Sequence, residues 1–229
     1  MRTIAILPVK SFNAAKQRLA GMLGAGSRQA LAQAMFSDVL TTLRHVPGLD
    51  AVAVVTSDRV AESAALGERV QVLRDTEQAG QSAATLIGIR YAQAAGYERV
   101  LLVPGDTPLV DPQDVSLLLG VETAIAIVPD RQGTGTNALL ISPPDAIAPS
   151  FGPGSFERHV VAARAAALGY SIERVPGLMF DVDTPDDLAD LSTELDGRRG
   201  KAPSTRGALR QLDRSHARAS AARVAPASA

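Results

Sequence analysis

Short runs of Val, Ile and Leu, set between amphipathic segments, constrain this chain more than any other feature of its sequence. Thr3 to Pro8, Ala51 to Thr56, Val70 to Leu73, Arg99 to Pro104 and Ala124 to Pro129 are too short for buried helices. Each is apolar on both alternating faces, so they read as strands covered from two sides. Between them, Leu31, Met35, Val39 and Leu43 recur at a spacing of four after a candidate cap at Ser27, and Leu86, Ile89 and Ala92 mark a helix over Gln81 to Ala95. Further strands are predicted at Ala138 to Ser142 and Ser171 to Val175. Helices are predicted from Ser155 to Leu168 and from Pro185 to about Leu195, the last capped by Thr184 with Asp186 and Asp187 at its positive end. Alternation of this kind predicts an α/β fold, a mixed and mostly parallel sheet with helices on both faces.

Composition removes several function classes. The 229 residues include no Cys, which excludes disulfides, thiol nucleophiles and zinc ribbons, and the three His are far apart in sequence. Any metal is therefore expected on oxygen ligands. The apolar run Ile4 to Leu7 is stopped by Pro8 and Lys10 with no small-residue cleavage site behind it, and no apolar stretch approaches the roughly 20 residues of a membrane span. These features predict a soluble cytoplasmic protein that does not engage a membrane.

Charge divides the chain. Residues 1–196 carry 15 basic and 23 acidic side chains, whereas residues 197–229 carry 8 basic and 1 acidic. Leu209, Leu212 and Val224 are the only large aliphatic residues after Gly197. The sequence thus predicts a domain over 1–196 and a solvated, disordered extension over 197–229. A nucleic-acid arm is the sharper alternative for that tail, but it lacks the aromatics that stack bases, and nucleic acid is not an expected partner.

In an open α/β sheet, ligands bind beyond the carboxyl ends of the strands. Four segments there bear chemistry. Pro8-Val9-Lys10 leads into a loop carrying Lys16 and Arg18, three cations in nine residues of an otherwise acidic domain, a composition suited to phosphate. It has neither a Walker loop nor a Gly-x-Gly-x-x-Gly turn. Pro104-Gly105-Asp106-Thr107-Pro108 delivers a carboxylate on a stiff turn. Asp181 and Asp183, two apart in an extended segment, face the same way. Together the three carboxylates suit Mg²⁺, which takes one or two carboxylates and completes its shell with waters and phosphates. Asp106 could instead cap the helix near Pro112, and Asp183 the helix at Pro185. The fourth segment pairs Gly133-Thr134-Gly135-Thr136-Asn137 with Phe151-Gly152-Pro153-Gly154-Ser155, turns rich in donors for an anion. His159 lies one turn into the following helix, as a candidate acid, base or phosphate contact.

Taken in this order, these segments resemble the phospholactate/phosphoenolpyruvate guanylyltransferase family, which makes the guanylylated precursor of the deazaflavin coenzyme F-420. The likeness runs from about Thr3 to Leu191. It implies a nucleotide-diphospho-sugar-transferase-like fold and a reaction in which GTP, with Mg²⁺, is joined to a three-carbon phosphorylated acid and diphosphate is released. It further implies metal ligation by Asp106, Asp181 and Asp183, and contacts to the acid at Thr136, Asn137, Gly152 and Ser155. Pro8, Lys10, Lys16, Gly80 and Asp106 would meet the nucleotide, with Lys10, Lys16 and Arg18 as the catalytic cations. Two positions depart from the family pattern. Gly80-Gln81-Ser82 keeps only the glycine of a Gly-Leu-Asn-like turn, and Asn137 stands where phosphoenolpyruvate-type relatives tend to carry Thr. Phosphoenolpyruvate, 2-phospho-L-lactate and 3-phosphoglycerate all remain open as the acid. A cytidylyltransferase or molybdopterin nucleotidyltransferase on the same scaffold is the enzymatic alternative, although Ile4 to Lys10 lacks the glycines of their entry turn. A non-catalytic regulatory module is the other alternative.

Overall fold

Apolar runs without a polar face can satisfy their backbone only inside a sheet covered on both sides. In the computed structural model, which describes residues 1–198 and 200–224, with side chains through residue 215, they form one seven-stranded sheet. Its strands are β1 (Thr3–Val9), β2 (Ala51–Thr56), β3 (Gln71–Arg74), β4 (Arg99–Leu102), β5 (Ile125–Pro129), β6 (Thr136–Ile141) and β7 (Tyr170–Ile172), in the order β3-β2-β1-β4-β6-β5-β7. Strands β1 to β4 run parallel, while β6 runs antiparallel to both β4 and β5, and β7 lies parallel to β5. Because β6 is reversed, its first residues lie at the edge where β1, β3 and β4 end. That reversal brings segments far apart in sequence to one margin of the sheet.

The period of two along β1 separates the layers. Ala5, Leu7 and Val9 face one side with α1 (Ala25–Arg44), α2 (Arg59–Gly67) and α4 (Pro112–Leu119), while Ile4 and Ile6 face α3 (Gln81–Ala94) and α5 (Ser155–Ala165) on the other. Helix α3 sits directly on β1 at Gly88, where a Cβ would lie 2.4 Å from Ile6 Cγ2. One local expectation needs correction, and one helix, α2, is not expected from the sequence. Helix α1 begins at Ala25 with Gly24 at its cap, ahead of Ser27, and Arg28 Nη1 donates to Leu23 O at 2.7 Å, which holds that earlier start. Helix α2 is capped by Asp58, which accepts from the Val60 and Ala61 amides. Its buried positions, Ala61 and Ala65, are too small to register as an apolar period.

The predicted disordered extension is also corrected. Short α6 (Pro176–Met179) and α7 (Pro185–Asp196) are followed by α8 (Pro203–Val224), which packs along α1. Ala202 and Leu212 join Leu31, Met35, Leu191 and Leu195 in a third apolar cluster. Asp38 of α1 accepts from the Ser204 and Thr205 amides at 3.0 and 2.7 Å, capping α8 across the tertiary interface. Lys201 pairs with Asp111 at 2.8 Å. This docking site needs few large aliphatics, Leu212 with Ala202 sufficing, so the polar composition of the segment does not reveal it. Residues 225–229 of the predicted extension lie outside the described residues.

Candidate active site

A single cleft of about 740 Å³ runs along the margin where β1, β3 and β4 end and β6 begins. Its walls include Pro8, Lys10, Lys16, Arg18, Asp106, Thr136, Asn137, Gly152, Ser155, Asp181 and Asp183, so nearly every site residue predicted from sequence comes to one place. Gly80 is the exception. Its left-handed backbone (φ 106°) starts α3, and the following Gln81 reaches the wall instead.

Helix caps decide which carboxylates are left for the cleft. Asp111, not Asp106, caps α4 by accepting from the Asp114 amide at 2.9 Å. Thr184 caps α7 in a reciprocal capping box with Asp187. Asp106 and Asp183 are thereby free, and both close on Lys16, whose Nζ lies 2.5 Å from Asp106 Oδ2 and 2.9 Å from Asp183 Oδ1. The Lys16 backbone is left-handed (φ 53°), a conformation costing a non-glycine residue roughly 1–2 kcal/mol, which the two ion pairs help to hold. Burial lowers the affinity of the Lys16 amine for its proton, but Asp106 and Asp183 outweigh it and hold the pKa above 10.5. Arg18 is largely exposed, with Nη1 3.8 Å from Asp183.

Asp181 shares this centre. Its carboxyl pKa is pushed up to about 6, first by burial and then by the Asp106 carboxylate, with the Asn137 hydrogen bond opposing. Asn137 Nδ2 donates to Asp181 Oδ1 at 3.1 Å, so the amide predicted to meet the acid is engaged with a carboxylate. Sequence reasoning gave Asp187 only a dipole role. In the structure its Oδ2 accepts from the Asp183 and Thr184 amides at 3.0 and 2.8 Å, and Oδ1 pairs with Arg131, which also lies over the Phe180 ring. Asp187 therefore shapes the loop that presents Asp183. Among the described residues, no group of three or more His, Asp or Glu side chains is spaced to hold a metal ion as it stands. The donor chemistry nonetheless suits a hard cation: Asp106 and Asp183 close on one buried ammonium, and the neighbouring Asp181 carboxyl, raised by burial and by those two carboxylates, completes a set of three oxygen donors.

The donor-rich turns are less open than their sequences suggest. The Thr134 and Gly135 amides donate to Asp130 at 2.8 and 2.7 Å, so the Gly133–Asn137 turn wraps its own carboxylate. A Cβ at position 135 would lie 2.5 Å from Asp130 Oδ2 and push that carboxylate out of the turn. Ser155 Oγ accepts from the Thr136 amide at 2.8 Å and keeps its own proton to donate. Gly152, at φ 110°, has nothing within 4 Å of its Cβ position and leaves an open cradle. Beneath both turns His159 is fully buried. Its Nε2 accepts from the Ser150 amide at 2.8 Å, which fixes the proton on Nδ1 and makes Nδ1 the donor to Thr136 Oγ1 at 2.9 Å. His159 therefore ties the two donor-rich turns together from below and does not line the cleft.

Comparison with known proteins shows the family of the chain. Residues 3–223 match the family model described as guanylyl transferase CofC like. The chain is 48% identical over 220 residues to a phosphoenolpyruvate guanylyltransferase of Conexibacter woesei, covering 94% of this chain and 99% of that one. It is 32% identical to a 2-phospho-L-lactate guanylyltransferase of Methanothermobacter thermautotrophicus (88% and 89% covered) and 34% identical to a 3-phospho-D-glycerate guanylyltransferase of Phenylobacterium zucineum (85% and 92% covered). A crystal structure from Desulfovibrio desulfuricans, assigned to the nucleotide-diphospho-sugar transferases, superposes with a TM-score of 0.75 over 93% of this chain and 96% of its own at 22% identity, a likeness of fold.

Proposed function

The chain belongs to the family of CofC-like guanylyl transferases, a nucleotidyltransferase family, and from that premise we propose that it transfers GMP from GTP to a three-carbon phosphoacid. Phosphoenolpyruvate is the first candidate acid, because the 48% identical relative carries that specificity in its name. The observation that carries the reading is the juxtaposition, in one cleft, of Lys10, Lys16 and Arg18 with Asp106, Asp181 and Asp183. Such a product would serve as the guanylylated precursor of a deazaflavin coenzyme.

The chemistry asks little covalent work of the protein. A phosphate monoester with a second pKa near 6 is largely dianionic at neutral pH, so its oxygen attacks the α-phosphorus of GTP without a dedicated base. One P–O bond forms to that oxygen, the bond to the β-phosphate bridge breaks, and diphosphate departs with the electron pair. Catalysis is then positioning and charge stabilisation. Lys10 and Arg18 stand at the cleft wall to meet the triphosphate, and Lys16 joins them as its ion pairs loosen. Asp106, Asp181 and Asp183 would hold Mg²⁺, which supplies charge neutralisation to the phosphates when bound. Asn137 keeps Asp181 aimed, and the Gly152 cradle with the Ser155 hydroxyl is placed for the acid.

Incubating the purified chain with each nucleoside triphosphate and each of phosphoenolpyruvate, 2-phospho-L-lactate and 3-phosphoglycerate, with Mg²⁺, and following diphosphate release tests this directly. GTP with phosphoenolpyruvate is expected to give the highest kcat/KM. Faster turnover of CTP, whatever the acid, would move the chain to cytidylyl transfer.

A further inference from the structure

The cleft extends past the cations to a carboxylate that the reaction does not use. Asp75 follows β3 directly, is only 7% exposed, and lines the cleft. Its amide donates to Thr56 O at 3.1 Å, continuing the β2–β3 ladder. Its Oδ1 accepts from the Gln78 amide at 2.9 Å. Among the described residues Oδ2 accepts no hydrogen bond, and no cation pairs with the side chain. A buried carboxylate without a counter-ion, open to a ligand cleft, asks for donors from the ligand.

Its place in the sheet says which part of the ligand. In the strand order, β2 and β1 separate β3 from β4, so Asp75 lies about 14 Å along the cleft from the strand that delivers Asp106, taking three strand spacings of roughly 4.8 Å. If the phosphates sit at the carboxylate and cation cluster, this far end receives the base. Pro8, Phe12 and Ala84 supply apolar wall, and Gln81, whose side chain makes no hydrogen bond among the described residues, lines the cleft beside them.

We infer that Asp75 reads guanine, its carboxylate accepting from N1–H and from the 2-amino group while Gln81 offers its amide to the acceptor side of the base. Guanine is the common base that presents two adjacent donors. Adenine and cytosine would turn a ring-nitrogen acceptor toward the carboxylate, and uracil flanks its single N–H with two carbonyls. A buried charge that meets a lone pair in place of a donor rejects the ligand strongly.

The inference rests on the guanylyltransferase reading, and one substitution separates the two. Asp75→Asn keeps an oxygen for the Gln78 amide but replaces one acceptor by a donor. That pattern fits xanthine, which has a carbonyl where guanine has its amino group. With Mg²⁺ and phosphoenolpyruvate, the ratio of kcat/KM for GTP to that for xanthosine triphosphate is expected to fall by at least about 100-fold in Asp75→Asn. The wild type supplies an arm independent of any folding defect: inosine triphosphate, lacking the amino group, should be used about 10-fold or more less efficiently than GTP, with 2′-deoxy-GTP little affected. Equal losses for GTP and xanthosine triphosphate in the variant, or a wild-type preference of GTP over inosine triphosphate near one, would overturn the assignment and move Asp75 to the ribose or to the fold. A wild type that uses no guanine nucleotide would instead overturn the underlying reading.

Discussion

His159 shows how a single residue here acts through others. Burial, and secondarily the Arg158 guanidinium, push its pKa down from 6.5 to about 4, consistent with an Nε2 that already accepts a backbone N–H and has no room for a proton. The unfolded chain binds that proton near pH 6.5 and the fold does not until about pH 4, so its contribution to stability is complete above 6.5 and is lost as the pH falls toward 4. A shift of this size is worth about 3 kcal/mol. His159→Gln, which cannot ionise, should therefore flatten the stability profile between pH 4 and 6.5 by about that amount in urea melts at stepped pH. Parallel profiles for variant and wild type would show that His159 ionises freely in the fold. Sequence placed His159 at the site but not its role, because its partners Thr136 and Ser150 are 23 and 9 residues away. Asp106, Asp181 and Asp183 were legible because each follows a strand or an extended run. Asp75 was not, since a lone Asp after a four-residue strand looks like any turn residue.

At the scale of elements, α8 changes how the chain divides. Its docking rests on Leu212 and Ala202 in the apolar cluster and on the Asp38 carboxylate at its first amides. Hydrogen bonds to a charged acceptor are worth roughly 1.5–3 kcal/mol. Asp38→Ala is expected to cost about 2 kcal/mol and lower the thermal midpoint by about 5 °C. Truncation after Asp196 should lower it further by uncovering Leu31, Met35 and Leu195. An unchanged midpoint in both variants would return α8 to the solvated extension that its charge and polarity suggest. Sequence identified the central strands and α1, α3, α5 and α7 because their periods are strong, while the predicted strand Ser171 to Val175 is β7 at Tyr170–Ile172. It could not see α8 dock, since the cap comes from Asp38, 166 residues earlier, and such a contact leaves no local trace.

For the whole molecule, a mostly parallel sheet was legible from the alternation of elements, but the reversal of β6 was not, because a strand buried on both faces reads the same in either direction. That reversal unites the cations after β1, the carboxylate after β4, the turns around β6 and the paired carboxylates before α7 in one cleft. Among the described residues no helix is long and apolar enough to cross a membrane, and the acidic bulk of the molecule frames a cleft whose entry loop is basic. Every role proposed for these residues depends on the cleft transferring GMP to a phosphorylated acid. Phosphorus NMR of the chain with GTP, phosphoenolpyruvate and Mg²⁺ tests it most directly. GMP transfer gives inorganic diphosphate together with a pair of mutually coupled doublets from an unsymmetrical diphosphate diester. Orthophosphate and GDP without those doublets, or GTP left unchanged with all three acids, would contradict it.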